Sequence, residues 1–190
     1  RGGSAQATRD MIDAFADHAA TTQIDLLVRL APDPTDGMPS KVKQASAVRG
    51  RIGYAIKAIA SAASKPDIVF CNHLFMAPLA RLIAGLTNAH LIIQLHGIEV
   101  WSRVRPELRN ALEAADLLVC VSRDTRRRAL AQACLLPERA VVVNNTVGDR
   151  FQPGDRQSAR SKFGIGDEIV LLTVGRLSSQ EQYKGQDKVL

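Results

Sequence analysis

The residues with the most chemistry to offer stand immediately after apolar runs. Asn72-His73 follows Ile68-Val69-Phe70-Cys71, and His96-Gly97-Ile98-Glu99 follows Leu91-Ile92-Ile93-Gln94-Leu95. Ser122-Arg123, Asn144-Asn145 and Gly175-Arg176 end three further runs. If the runs are parallel strands, these residues gather at the carboxyl edge of a sheet, where open α/β folds bind ligands. His96 is the most informative of them. A histidine there donates to a sugar hydroxyl or a phosphate oxygen, or moves a proton near neutral pH, unless it is a structural histidine bonded to a loop carbonyl. His73 has the same kind of position and the same two readings. The pair lacks a third ligand at metal spacing, which excludes a zinc site.

Gly2-Gly3 precedes the first helical pattern, where backbone N–H groups and the helix dipole suit a phosphate. Neither G-x-G-x-x-G nor G-x-x-x-x-G-K-[ST] is present, which argues against a nicotinamide-cofactor or P-loop site. Arg176 and Lys184 flank a loop eight residues apart. Two cations that converge there suit a diphosphate, a planar fork beside a point charge; the alternative is a pair of surface cations. Arg126-Arg127-Arg128 is read as a solvated helix face.

The elements that must position these groups alternate. Met11, Ile12, Phe15, Ala16 and Ala19 follow a helical period, and residues 22–30 read as a buried strand. Residues 31–40 hold three Pro and one Gly and form a loop. Val48, Ile52, Ala55, Ile56, Ile59 and Ala63 recur at helical spacing. Strands over 68–71, 90–95, 116–121 and 141–143 alternate with three helices. These are a helix apolar nearly all round at 74–86, one with Pro106 in its first turn, and one capped by Ser122. Residues 148–166 are polar and read as a linker with one short helix; a strand at 168–174 and a helix start near Lys184 follow. Nearly continuous apolar strands separated by helices predict an α/β fold, a doubly wound, Rossmann-like domain with five or more parallel strands over residues 1–147. The linker is 148–166, and a second Rossmann-like domain begins at 167–190.

Length and composition agree. One hundred and ninety residues bound the chain at one large domain or one and a half, long enough for a sizeable core. Hydrophobic residues at 46% and charged residues at 23% exclude disorder and collagen-like structure. No apolar run approaches the roughly 18–20 residues that span a bilayer. Cys71, Cys120 and Cys134 form no C-x-x-C or metal cluster, which predicts reduced thiols and a cytoplasmic location. The first residues, Arg1-Gly2-Gly3-Ser4, lack Met and an apolar leader, and the last, Asp187-Lys188-Val189-Leu190, read as mid-helix. The sequence is therefore expected to be a segment cut at both ends. The formal charge is +6, and residues 101–150 alone hold nine Arg against six acids. Such a patch suits nucleic acid, the inner face of an anionic membrane, a phosphorylated substrate, or solvent alone. With two Tyr, one Trp and five Phe, the chain lacks the aromatic interleaving of single-strand binders, so nucleic acid is not the expected partner.

Val174-Gly175-Arg176-Leu177 followed by Tyr183-Lys184-Gly185-Gln186-Asp187 resembles the start of the C-terminal domain in retaining GT-B-fold glycosyltransferases. The resemblance is to the sugar-nucleotide-dependent family with a later Glu-x7-Glu motif. Gly2-Gly3, His96-Gly97, Val121-Ser122 and Asn144 ahead of Phe151-x-Pro153 come in that family's order. The resemblance implies a nucleotide-sugar donor, an acceptor such as a lipid-linked sugar or polysaccharide, and a role in carbohydrate biosynthesis without a metal cofactor. It implies that His96 lies at the reaction centre, and that Arg176 and Lys184 hold the donor diphosphate with Gly3 offering backbone N–H. Gly2, Gly97 and Ser122 complete the implied substrate-binding set. Residues 1–147 would then bind acceptor, without the strand that normally precedes the glycine pair, and 167–190 would begin the donor domain. The isolated segment is expected to be inactive. The usual Asn-Gly-Val-Asp run is replaced by Asn144-Asn145-Thr146-Val147. A GT-B-fold sugar-nucleotide epimerase and a non-enzymatic basic binding module are the competing readings.

Overall fold

The computed structural model describes residues 3–29, 37–48, 50–147 and 151–173. The chain divides into two compact units, Arg1–Thr146 and Val147–Leu190. The first opens with helix α1 (Gly3–Asp17), then strand β1 (Ile24–Leu26), strand β2 (Val42–Gln44) and helix α2 (Arg51–Ala60). Strand β3 (Ile68–Cys71), helix α3 (Ala77–Thr87), strand β4 (His90–Leu95) and helix α4 (Pro106–Ala114) follow. Strand β5 (Leu117–Cys120), helix α5 (Arg123–Gln132) and strand β6 (Ala140–Val142) complete it.

Every strand pairing is parallel, so the α/β class holds. Among the described residues six parallel strands lie before residue 147, within the expected five or more, but they do not form one sheet. The strands form a four-stranded sheet in the order β3-β4-β5-β6 and a separate pair, β1-β2. The strand expected over 22–30 shrinks to the three residues that find partners in β2, a strand not foreseen because Val42-Lys43-Gln44 has one apolar residue. Backbone pairing, not side-chain apolarity, decides where a strand ends. The larger sheet is open beyond β3, where Ile68 is 54% exposed.

Helices cover both faces of that sheet. Cys71, Leu91, Ile93, Leu95, Leu118 and Cys120 pack with Ala77, Ala84, Leu108 and Leu112 of α3 and α4 in one core. Phe70 points the other way, as strand alternation requires, and meets Phe15 of α1 edge-on at 5.2 Å. A 3-10 turn, Leu74–Met76, replaces the first turn expected of α3, with Pro78 near the helix start where a missing N–H has no consequence. The helix is less enclosed than its composition suggests, because Leu82 and Leu86 face outward.

The stripe of α2 is likewise reversed. Ile52, Ile56 and Ile59 are exposed, and Ala58 is buried instead. Small side chains let this helix approach α3, and its Tyr54 hydroxyl donates to the Leu27 carbonyl at 3.4 Å.

In the second unit, helix α6 (Arg156–Lys162) lies within the polar stretch and is capped by Asp155, whose carboxylate accepts from Ser158 N–H at 2.6 Å. Hydrogen bonds from the Ser158 side chain and then its backbone N–H hold the Asp155 carboxyl below its ordinary range. Arg160 donates to the Gly166 and Glu168 carbonyls. Residues 168–173 are not a strand: Ile169, Leu171 and Leu172 are exposed, and no neighbour among the described residues offers a ladder.

Candidate functional site

The carboxyl ends of β3, β4, β5 and β6 lie on one edge of the parallel sheet, and their loops are tied to one another. His96 places Nε2 at 2.9 Å from the Asn72 carbonyl beyond β3, the bond to a loop carbonyl that a structural histidine makes, but His96 is only half-buried just beyond β4. A carbonyl oxygen only accepts, so Nε2 carries a hydrogen, and in the uncharged form of the ring Nδ1 presents the lone pair. The Asn72 side chain continues the chain of bonds by donating to Thr8 Oγ1 of α1 at 2.6 Å. His96 is thus linked through one residue to the second turn of the helix that Gly3 opens.

The loop bearing His96 admits little freedom. Gly97 has φ 112°, which favours glycine, and a Cβ there would stand 3.4 Å from Thr125 Oγ1 and 3.5 Å from Trp101 Nε1. A 3-10 turn, Ile98–Val100, follows and buries Glu99. Glu99 Oε1 accepts from the His96 backbone N–H at 3.3 Å and lies 3.9 Å from His73 Nε2. The His73 ring sits 6.2 Å from that of His96, centroid to centroid. Its Nδ1 accepts from Phe75 N–H at 3.5 Å. Glu99 Oε2, Asn72 Oδ1 and Gln94 Oε1 are buried without a hydrogen-bond partner among the described residues.

Ser122 serves α5. Its hydroxyl accepts from Thr125 N–H at 3.1 Å and contacts Thr125 Oγ1 at 2.9 Å, the cap expected of it. Asn144 donates to the Val121 carbonyl at 2.9 Å, joining the β6 loop to the β5 loop. Glu99, Asn72 and Gln94 carried no assigned role in the sequence reading. Glu99 stands three residues after His96, the spacing at which a helix-turn glutamate reaches back to a backbone N–H, and that spacing was the available signal. Gly2, Arg176 and Lys184 lie outside the described residues.

The Cys71 thiol donates to the His73 carbonyl at 3.2 Å. Burial pushes both Cys71 and Cys120 up to about 11, which keeps them protonated at neutral pH; Cys134 is exposed. Among the described residues no group of three His, Cys, Asp or Glu side chains could hold a metal ion, and no helix is long and apolar enough to cross a membrane.

The arginine-rich stretch is engaged at home. Arg127 and Arg128 both bond Asp124, at 2.6 and 2.7 Å, and hold its carboxyl below the ordinary range. Arg126 donates to the Ala140 and Pro137 carbonyls, and Arg139 to those of Ala115 and Glu113. Arg105 pairs with Glu107 and Arg109 with Glu113.

The sequence pattern of Glycosyltransferase Family 4 matches residues 1–149, a stretch that contains the six strands found among the described residues and the tied loops at their ends. The chain belongs to glycosyltransferase family 4. A curated relative, the D-inositol 3-phosphate glycosyltransferase of Geodermatophilus obscurus, is 35% identical over 99 residues, 47% of this chain and 22% of the relative. The family 4 chain thus spans about a fifth of that relative's length. Among solved structures it is similar to Anabaena Alr3699/HepE in complex with UDP-glucose, with a TM-score of 0.65 and 19% identity over 98% of this chain and 52% of that one. The apo form of WaaB, a lipopolysaccharide outer core galactosyltransferase, gives a TM-score of 0.50 at 16% identity, over 77% and 43% of the two chains. These likenesses show the fold, the Rossmann-like layer of GT-B glycosyltransferases.

Proposed function

We propose that the protein moves a sugar from a nucleotide-diphosphate donor to an acceptor hydroxyl with retention of configuration, and that residues 1–147 supply the acceptor side. The observation that carries this reading is His96. In a chain of this family, it stands at the carboxyl end of a central strand with Nε2 anchored to Asn72 and Nδ1 turned into an acceptor. Such a nitrogen suits a hydroxyl hydrogen better than an unprotonated phosphate oxygen. The UDP-glucose held by Anabaena Alr3699/HepE supports a nucleotide sugar as donor.

In this reading the bond from the sugar's anomeric carbon to the diphosphate breaks and the leaving phosphate oxygen keeps the electron pair, while the acceptor oxygen bonds the same carbon and passes its proton to that phosphate oxygen. Arg176 and Lys184 hold that diphosphate, with Gly2 and Gly3 offering backbone N–H. Preplaced cations stabilise the charge that develops there, so the step needs no metal ion. The enzyme works in the cytoplasm, at the inner face of the membrane where the acceptor is lipid-linked.

The test is sugar transfer by the full-length protein with a panel of nucleotide sugars, the anomeric configuration of the product being read by NMR. His96→Ala is expected to lower turnover roughly a hundredfold, the lower end of what a positioned acid or base contributes. Arg176→Ala and Lys184→Ala each cost roughly 2–4 kcal/mol of transition-state stabilisation. The 190-residue chain alone is expected to bind nucleotide sugar weakly or not at all in calorimetry. Unchanged turnover in His96→Ala would remove the histidine from the mechanism, and an inverted product would exclude retention.

A further inference from the structure

Among the described residues Glu99 is the one charged residue that is buried, and its side chain is fully covered. A carboxylate out of water is costly unless donors face it. The structure brings two, from different loops: the His96 backbone N–H at 3.3 Å and the His73 ring, whose Nε2 is 3.9 Å away. Phe75 N–H occupies His73 Nδ1, which leaves the ring hydrogen on Nε2, the nitrogen that faces Glu99. In the opposite direction, His96 from the β4 loop reaches the Asn72 carbonyl of the β3 loop at 2.9 Å. Each loop therefore sends a histidine to an acceptor on the other.

We infer that His73 and Glu99 are positioning residues, which hold the His96 ring in the orientation that bonds Asn72 and leaves Nδ1 accepting. Glu99 fixes the backbone of the His96 loop from beneath, and His73 fixes Glu99. The inference rests on the reading of His96 as the reaction-centre histidine, but its geometry exists without substrate.

The test uses the ligand-free 190-residue chain, with histidine tautomers read from long-range proton–nitrogen NMR correlations and backbone exchange read for His96. The wild-type chain is expected to show a single Nε2–H tautomer at both His96 and His73. Glu99→Ala is expected to give mixed tautomers at His96 and at least about tenfold faster exchange of its N–H, the factor for losing one hydrogen bond to a charged group. Glu99→Gln keeps an accepting oxygen at the same place and is expected to restore the His96 tautomer. A merely structural Glu99 would lower the melting temperature and leave the His96 tautomer and exchange untouched, and that result overturns the inference. Where Glu99→Ala does not fold, His73→Ala decides, because the ring is partly exposed and its loss leaves the core intact. Faster His96 exchange in that variant supports the brace, and an unchanged His96 refutes it. Failure of the brace is separable from failure of the proposed function, because the latter is read as turnover in His96→Ala.

Discussion

The strand-end cluster and the arginine-rich face of α4 and α5 are both polar, yet they use their side chains in opposite ways. At the strand ends a few groups reach across from loop to loop: His96 to Asn72, Asn72 to Thr8, Asn144 to Val121. On α4 and α5 most arginines turn back to a neighbour. Arg127 and Arg128 stay on their own helix with Asp124, and Arg109 stays on α4 with Glu113. Among the described residues of this face, Arg103 and Arg123 have no hydrogen bond or ion pair to the protein. Formal charge therefore overstates what this surface offers a nucleic acid or a membrane.

Both regions stand on one core, so the largest effect comes from removing it beneath them. Leu112, fully buried on the inner side of α4, is expected to cost about 3 kcal/mol as Leu112→Ala in urea denaturation. Arg126 is the arginine that departs from its neighbours, since it bonds the carbonyls of Ala140 and Pro137 at 2.6 and 2.7 Å. Arg126→Ala should cost about 2 kcal/mol, the range for hydrogen bonds made by a charged group. Gly97→Ala forces a side chain into φ 112°, and a loss of about 2 kcal/mol by the same measurement would place the strand-end loop level with Arg126.

The thiols separate core from surface by pH. Burial raises Cys71 and Cys120 from 9.0 to about 11, so between those values the unfolded chain has released protons that the folded chain still holds. Stability is expected to be full below pH 9 and to fall as pH climbs toward about 11. In alkylation of the native protein Cys134 is expected to react and the other two are not, because only Cys134 is exposed. The smallest effect is expected at Arg127→Ala, within about 0.5 kcal/mol in chemical denaturation, because its pair with Asp124 is exposed. A loss as large as that of Arg126→Ala would abolish the contrast between the two kinds of arginine.

The α/β class was legible in the alternation of apolar runs and helical periods, since both periodicities follow from local backbone geometry. Ser122 and Pro106 marked their helix starts because a cap and an N-terminal proline act within one turn. The strand-end positions of His73, His96 and Ser122 followed from the same pattern. What the sequence did not determine was phase and partnership. The spacing of Ile52, Ile56 and Ile59 gave α2 its period, but packing turned that stripe outward and seated Ala58 instead. Residues 168–173 had the apolarity of a strand and no ladder to join among the described residues, and β2 had a partner without the apolarity. Glu99 read as one more polar residue after a strand. Only the fold buried its carboxylate between two histidines, because burial and hydrogen-bond partners depend on which distant loops meet, and a local sequence pattern does not encode that meeting.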